Sequence, residues 1–494
     1  MRILLVNSNF YKLPVPTIPF GLCYVASSLD NAGYEVEVLD LCFSKNPYKE
    51  VVAKINQSTF DVIGVSIRNI DTCATYDPFF LIQDVKNKVI EPIKENFAGP
   101  IVIGGAAIGV NGEEILDFLE LDYAIHGDGE KAMVEFVQRL ETQTDMHGLA
   151  GLIWKKDGKL AESNPPSRIH PIDSIPHARI YDHIDLEPYK NFKSPIQIQT
   201  KRGCSLNCVY CTYRKIEGET FRLRSPQAVA DEIEEIYRKT GYGHIEFTDS
   251  TFNFPLDHAK SVLRAIIAKN LPLQLQTMGL NPGAFDEEFA DLLKEARFKE
   301  IQVGVDSGSD TTLKSLNKNY SRKDILKVGS ILRKKKIPVL WYILTGAPDE
   351  TKETLRQTLE TIKQASSPWD LVVWGNGIRV YKGAPLEKQI TDNKIKTDSR
   401  NFLFPVSYQP ESIDLLTLRD YNKKLLRYHP NFLLFDEVQR VPSVLQNIQN
   451  VLIRMFAPQK PWWKFNILLK KIQNFLGVTF VKSFFEASRL EKFQ

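Results

Sequence analysis

The chain has too few cysteines for a disulfide scaffold: six in 494 residues, irregularly spaced. A reducing, cytosolic setting is therefore expected. It also lacks an excess of charge. The formal net charge is +3, from 63 basic and 60 acidic residues. That leaves no global electrostatic argument for a nucleic-acid partner, and none is expected. No uninterrupted apolar run reaches the ~18 residues that a membrane-spanning helix needs. The opening run Met1-Arg2-Ile3-Leu4-Leu5-Val6-Asn7 is short and has no small-residue cleavage site after it. It reads as a first buried strand and not as a secretory leader. A content of 43% hydrophobic and 25% charged residues is that of an ordinary globular protein. At this length two or three domains are expected.

What cysteine there is carries the information. Cys204, Cys208 and Cys211 stand at C-x3-C-x2-C spacing in Arg202-Gly203-Cys204-Ser-Leu-Asn-Cys208-Val-Tyr210-Cys211. Three thiolates on one short loop can hold three irons of a cubane cluster and leave the fourth open to a substrate or cofactor. An electron-transfer protein would add a fourth cysteine, and no cysteine follows Cys211. The bland alternative is three unrelated thiols on a buried strand. Gly203 and an aromatic beside the last ligand argue against it.

Periodicity places this loop in an α/β chain. Strands are expected near 2–7, 35–39, 61–66, 100–104 and 122–126. They are rich in Val, Ile and Leu without alternation, as parallel strands buried on both faces are. Helical patterns near 20–32, 79–96, 112–119 and 129–140 alternate with them. The result is a doubly wound parallel sheet over 1–145, with ligands expected at the carboxyl ends of its strands. Glycine turns Gly104-Gly105 and Gly127-Asp128-Gly129 follow two of those strands and would let a ligand approach the backbone. Residues 146–190 read as a hairpin and a proline-rich linker. Over 191–400, six strand-plus-helix units suggest a partial (β/α)6 barrel, with strands near 196–200, 244–248, 273–277, 301–305, 338–344 and 370–374. The cysteine loop follows the first of these. A helical C-terminal region is expected over 401–494.

The cysteine run resembles the signature of the radical S-adenosylmethionine (SAM) superfamily. In that family the open iron of a [4Fe-4S] cluster binds the amino and carboxyl groups of SAM. One electron then cleaves SAM to methionine and a 5′-deoxyadenosyl radical. The resemblance implies that Cys204, Cys208 and Cys211 hold the cluster, with Tyr210 near adenine. Glu246-Phe-Thr-Asp249-Ser250 at the second strand end would help hold SAM. Gly304-Val-Asp306-Ser307-Gly and Gly346-Ala-Pro348-Asp-Glu-Thr resemble later segments of methylthiotransferase-like and cobalamin-dependent members. By that resemblance Asp306 or Ser307 reaches SAM, and the loop at Gly346 and Pro348 contacts adenine. Arg379-Val-Tyr381-Lys-Gly-Ala-Pro-Leu386 resembles the ending of those domains, with no role assigned to it.

The N-terminal sheet, beside this barrel, resembles the cobalamin-binding domain of B12-dependent radical SAM enzymes. The resemblance rests on the first strand, on Pro16-x-x-Pro19-x-Gly21 and on Tyr123 to Glu130. It implies a cobalamin bordered by Asn7, Ser66, Arg68, Asn69, Gly104, Gly105, Gly127, Gly129 and Glu130. The Asp-x-His-x-x-Gly run that supplies a cobalt ligand in many B12 domains is missing. No protein imidazole is expected on cobalt, and the loop Ser66 to Asp71 would face the lower side of the corrin.

The implied activity is C-methylation of an unactivated carbon, with an external electron donor such as flavodoxin or ferredoxin. Oxidation, cyclisation or rearrangement without methyl transfer is the alternative with the same cofactors. A methylthiotransferase would need Cys23, Cys42 and Cys73 to hold a second cluster. A sensor that only binds a cluster or B12 is the non-enzymatic alternative. Residues 451–494 mix tryptophans, phenylalanines and lysines. They suit either a lid over the barrel or contact with the inner face of a membrane, and they suggest an apolar, lipid-like small molecule as substrate.

Overall fold

The structure is a computed structural model. It describes residues 1–12, 15–392, 402–427 and 429–435, together with 463, 464, 467, 468 and 471. Most of 451–494, on which the lid and membrane expectations rest, lies outside the described residues. The chain falls into two compact units. One contains 1–250, 261–273 and 379–406; the other contains 251–260, 274–378 and 407–494. The division runs through the span 191–400 expected to form the barrel.

In the first unit, strands β1 (Arg2–Asn7), β2 (Glu35–Asp40), β3 (Val62–Ser66), β4 (Ile101–Gly104) and β5 (Tyr123–Ile125) form a parallel sheet. An antiparallel hairpin, β6 (Leu152–Lys156) and β7 (Lys159–Ser163), extends it. The strand order is β2-β1-β3-β4-β5-β6-β7. The chain reverses direction across the sheet between β1 and β3, which is where open α/β sheets form a ligand crevice. Along the inner strands both faces are buried by alternation. Leu4, Val6, Ile63, Val65 and Ile103 enter one core. Ile3, Leu5, Val62 and Val102 enter the other. Helices Phe20–Asn31 and Gly129–Glu141 cover the second face. Helix Pro47–Gln57, which the periodicity did not single out, covers the first with Ala106–Leu119. It starts with a proline and an Asn46 side chain that accepts from the Lys49 N–H.

The first unit also holds β8 (Ile196–Ile198), the short antiparallel pair β9 (Lys201–Arg202) and β10 (Arg222–Leu223), and β11 (His244–Phe247). β8 and β11 pair in parallel. In the second unit lie β12 (Gln274–Thr277), β13 (Ile301–Asp306), β14 (Val339–Thr345), β15 (Leu371–Asn376) and β16 (Phe432–Leu434). The last four form a parallel sheet in that order. All six expected strand regions of 191–400 contain strands; five are followed directly by a helix, while β8 is followed by β9. β16 departs from the helical expectation for the C-terminal region, where helix Leu415–Leu426 agrees with it. Three apolar residues are enough to add an edge to a sheet, but too few to show a period. Trp463 and Ile467 are buried against Leu340, Leu371 and Val373, and the Trp463 indole donates to the Trp369 carbonyl at 3.1 Å. This tryptophan packs on the sheet of its own unit. Among the described residues, no helix is long and apolar enough to cross a membrane.

Candidate active site

The loop from Gly203 to Thr212 is irregular chain between β9 and helix Tyr213–Glu217, and its path is fixed from outside. Gly203 has φ +91°, and a Cβ there would collide with the Thr220 carbonyl oxygen. Its N–H donates to Glu217 Oε2 at 3.1 Å, and its carbonyl accepts from Ser250 Oγ at 2.9 Å. The Cys204 N–H donates to the Gly218 carbonyl at 3.0 Å, and the Cys211 N–H to the Cys208 carbonyl at 3.1 Å. Cys204 is buried; Cys208, Tyr210 and Cys211 are half-buried. Burial pushes the Cys204 thiol up, and the Leu206 N–H and Ser250 hydroxyl oppose that shift.

The donor set fits the cluster. All three cysteines are thiols, outside any disulfide. Among the described residues, no three His, Cys, Asp or Glu side chains gather as a single metal ion would require. A cubane spreads its three thiolates over three irons and does not need such a gathering. The rival second cluster would need Cys23, Cys42 and Cys73. Cys23 is buried within helix Phe20–Asn31, its thiol pushed up by burial, and Cys73 lies beside Tyr381.

The strand before the loop is held by buried charge. Asp249 accepts from Thr200 N at 2.7 Å, Thr200 Oγ1 at 2.6 Å and Lys201 Nζ at 3.0 Å. Both side chains of the Lys201–Asp249 pair are fully buried. Arg202 donates to Glu130 at 2.5 and 3.1 Å, to Asp128 at 3.1 Å and to Gln199 at 3.1 Å. Arg222 also pairs with Asp128. Burial alone would raise the Asp128 carboxyl; the two guanidinium groups and the Ile169 N–H hold it below the usual range. Glu217 has less help. Burial raises its carboxyl to about 7 against the opposing pull of Arg202.

Several expected contacts are therefore directed inward. Asp249, expected at SAM, anchors the strand before the cysteines. Glu130, expected at the corrin, grips Arg202. Glu246 is buried on β11 opposite Gln197. The sequence reading missed Lys201, Glu217, Arg222 and the role of Asp128. The available signal was charge inside a buried strand, Lys201-Arg202, which demands a partner.

The cobalamin set borders the carboxyl edge of the first sheet. Asn7 ends β1 and donates to Asp40 at 2.7 Å. The Ser66 carbonyl ends β3 and accepts from Ser8 Oγ at 2.8 Å. Arg68 and Asn69 are exposed, with Arg68 donating to Thr17 Oγ1 at 3.1 Å. Gly105 has φ +100°, and a Cβ there would stand 2.5 Å from the Ile67 carbonyl oxygen. Gly127 also has positive φ, and Gly129 begins the following helix. The strand reversal thus carries exposed loop residues and tight glycine turns at the edge where open α/β sheets take their ligands. The His126 imidazole is turned to the Asn164 carbonyl at 2.7 Å.

Asp306, Ser307, Gly346 and Pro348 belong to the second unit. Asp306 has φ +57° and pairs with Lys318. Ser307 Oγ bonds Thr358 Oγ1 at 2.9 Å. Gly346 has φ +92°, and the Pro348 carbonyl accepts from Ser315 at 2.6 Å. In the same turn Glu350 is buried, bonded by Thr354 Oγ1 at 2.6 Å, with Oε2 lacking a side-chain donor. Burial raises its carboxyl from 4.5 to about 7. A carboxyl whose folded value is raised contributes fully below the unfolded value and loses that contribution as pH climbs to the folded one. Between pH 4.5 and 8, Glu350→Gln is expected to gain stability relative to the parent by on the order of 2–3 kcal/mol. Parallel urea melts at the two pH values measure it, and an unchanged difference would refute the assignment.

A loop of three thiols, set by buried charge after a parallel strand, suits a cubane cluster with one iron left open. The comparisons agree. The radical SAM superfamily pattern matches residues 198–362. The B12 binding domain pattern matches residues 10–137. An uncharacterised methyltransferase of Pyrococcus horikoshii is 27% identical over 371 residues, 74% of this chain and 78% of its own length. The tryptophan 2-C-methyltransferase of Streptomyces laurentii is 24% identical over 450 residues, 78% and 74% of the two chains. The radical SAM methyltransferase TsrM of Kitasatospora setae, solved with tryptophan and a SAM analogue bound, matches with 25% identity and a TM-score of 0.72, over 79% of this chain and 76% of that one. The chain carries a radical SAM domain and a B12-binding domain, and its cofactors are a [4Fe-4S] cluster, SAM and cobalamin. The chain is an enzyme whose relatives are methyltransferases.

Proposed function

We propose that the enzyme transfers a methyl group to an unactivated carbon of a small organic molecule of apolar, lipid-like character. The carrying observation is that the three-thiol loop and the B12-type sheet are parts of one compact unit, joined by the Arg202 pairs to Asp128 and Glu130. When bound, the cofactors supply the chemistry: SAM cleavage gives a radical that takes hydrogen from carbon, and methylcobalamin provides the methyl group. The chain's own part is to hold the thiols, keep Gly203 in its left-handed turn and present the loop after β3. Tryptophan in the TsrM structure supports a small-molecule substrate. An external one-electron donor completes the system.

The test is anaerobic reconstitution with iron, sulfide and hydroxocobalamin. About four irons per chain are expected, against about eight for a methylthiotransferase. With reductant and methyl-labelled SAM, label should enter a product extracted from cell lipids and metabolites. SAM consumption without label transfer would favour oxidation or cyclisation, and no SAM consumption would favour a sensor. Flotation on liposomes of the full chain against one ending at Pro442 reads the membrane contact separately.

A further inference from the structure

The sequence singles out Arg379-Val-Tyr381 without giving it a task, and the B12-domain match ends at residue 137. Yet residues 379–406 return to the unit that holds the first sheet. There Arg379 Nε donates to Asp71 Oδ2 at 2.9 Å, with both side chains almost fully buried. The same guanidinium donates to the Phe402 carbonyl at 3.0 Å and the Leu403 carbonyl at 3.4 Å, and lies 4.4 Å from the Tyr381 ring centroid. The Tyr381 hydroxyl reaches Asp71 Oδ1 at 3.3 Å and Cys73 Sγ at 2.9 Å. Asp71 Oδ1 also accepts from the Cys73 N–H at 2.8 Å, which fixes that residue at φ +54°. Lys382 pairs with Glu114 on helix Ala106–Leu119, so the returning segment is fastened to the first unit at a second point.

These contacts define the loop after β3. Its near end is set by the Ile67 N–H on the Gly104 carbonyl at 2.8 Å and by the lack of a side chain at Gly105. Ile67 and Ile70 point into the core, with Leu403 in the same cluster and Tyr381 packed on it. Arg68 and Asn69 are left exposed between the two ends. The far end is Asp71, whose charge is met by Arg379, a residue outside the matched B12-type domain. A bidentate-capable guanidinium that also caps two carbonyls holds a carboxylate in one geometry, which a lysine would not do.

We propose that Arg379 and Tyr381 are positioning residues for cobalamin. They lock Asp71 and so hold Arg68 and Asn69 in the form that receives the lower side of the corrin. The inference rests on the assignment of that loop to cobalamin. It adds that the B12 site of this chain is completed by a segment more than two hundred residues beyond the matched domain.

The test uses the full chain with its cluster in place and hydroxocobalamin as probe, titrated by absorbance. Iron content and the electron paramagnetic resonance (EPR) signal of the reduced cluster are followed in parallel. Tyr381→Phe, which removes one hydroxyl, is expected to weaken cobalamin binding about fivefold, the worth of one ordinary hydrogen bond. Arg379→Lys and Asp71→Asn should weaken it about tenfold or more, with the iron content and the cluster signal of the parent. Unchanged affinity in folded Tyr381→Phe and Arg379→Lys overturns the inference. So does a loss of iron in step with cobalamin in Tyr381→Phe, because that marks a general structural contact. If Asp71→Asn does not fold, the other two variants decide. Failure of the unaltered protein to bind cobalamin would remove the loop assignment itself, and is seen before any variant is made.

Discussion

Asp249→Ala is expected to leave the protein without its iron. The carboxylate accepts from the backbone and hydroxyl of Thr200 and from the ammonium of Lys201, and neither charged side chain of the pair reaches solvent. Removing it takes the carboxylate from a buried ammonium and from three further donors, Thr200 N, Thr200 Oγ1 and Lys201 N. Breaking one partner of such a pair costs about 3–5 kcal/mol, well above what a surface pair would cost. The chain escapes the penalty by letting Thr200 and Lys201 move toward water. Those residues lead directly into Arg202, Gly203 and Cys204, so the thiols lose their common loop. Iron content after reconstitution should fall to near background, while the first sheet, with its own two cores, keeps its helical and strand signal in circular dichroism. Lys201→Met added to Asp249→Asn should recover stability relative to Asp249→Asn alone, because it removes the charge that was stranded. A double variant no more stable than the single one would show that the ion pair is not what holds the strand.

The inner strands of the first sheet were legible because they are buried on both faces, whereas the edge strand β2 alternates Glu35-Val-Glu-Val. In the inner strands Val, Ile and Leu appear in unbroken runs, and glycines mark the strand ends. The cysteine loop was legible because cluster chemistry fixes residue type and spacing together. Side-chain direction at the strand ends was not legible. A carboxylate such as Asp249 can point out to a cofactor or back to its own chain, and a single sequence carries no sign of which. Glu130 begins a helix beside a ligand edge, and its carboxylate pairs with Arg202, 72 residues away, a contact that the sequence does not show. Arg379 and Asp71 are 308 residues apart, and only the fold brings them together. Short elements were also invisible. The three residues of β16 and the two-residue strands β9 and β10 show no period, although β9 carries the buried charges on which the cysteine loop depends.

Gly203→Ala is expected to abolish cluster assembly while leaving most of the fold intact. At φ +91° an L side chain is strained before any neighbour is considered. The added methyl would also meet the Thr220 carbonyl oxygen, which is backbone and has no rotamer to yield. Relief requires Gly203 to rotate. Rotation breaks its N–H bond to Glu217 and its carbonyl bond to Ser250, and draws the Cys204 N–H off the Gly218 carbonyl. Each neutral bond is worth about 1 kcal/mol, and backbone strain adds about 1–3 kcal/mol, so the local cost is several kcal/mol. The reconstituted variant should lack the visible absorbance and EPR signal of a [4Fe-4S] cluster and should not cleave SAM. Cobalamin binding should persist, because Gly105, Asp71 and the loop between them are untouched. Ser250→Ala removes only one of the bonds to Gly203 and should give a partial loss, separating the hydrogen bond from the conformational demand. Full cluster content in Gly203→Ala would mean that the loop can close on the iron without the left-handed turn, and would refute the account of how this chain presents its three thiols.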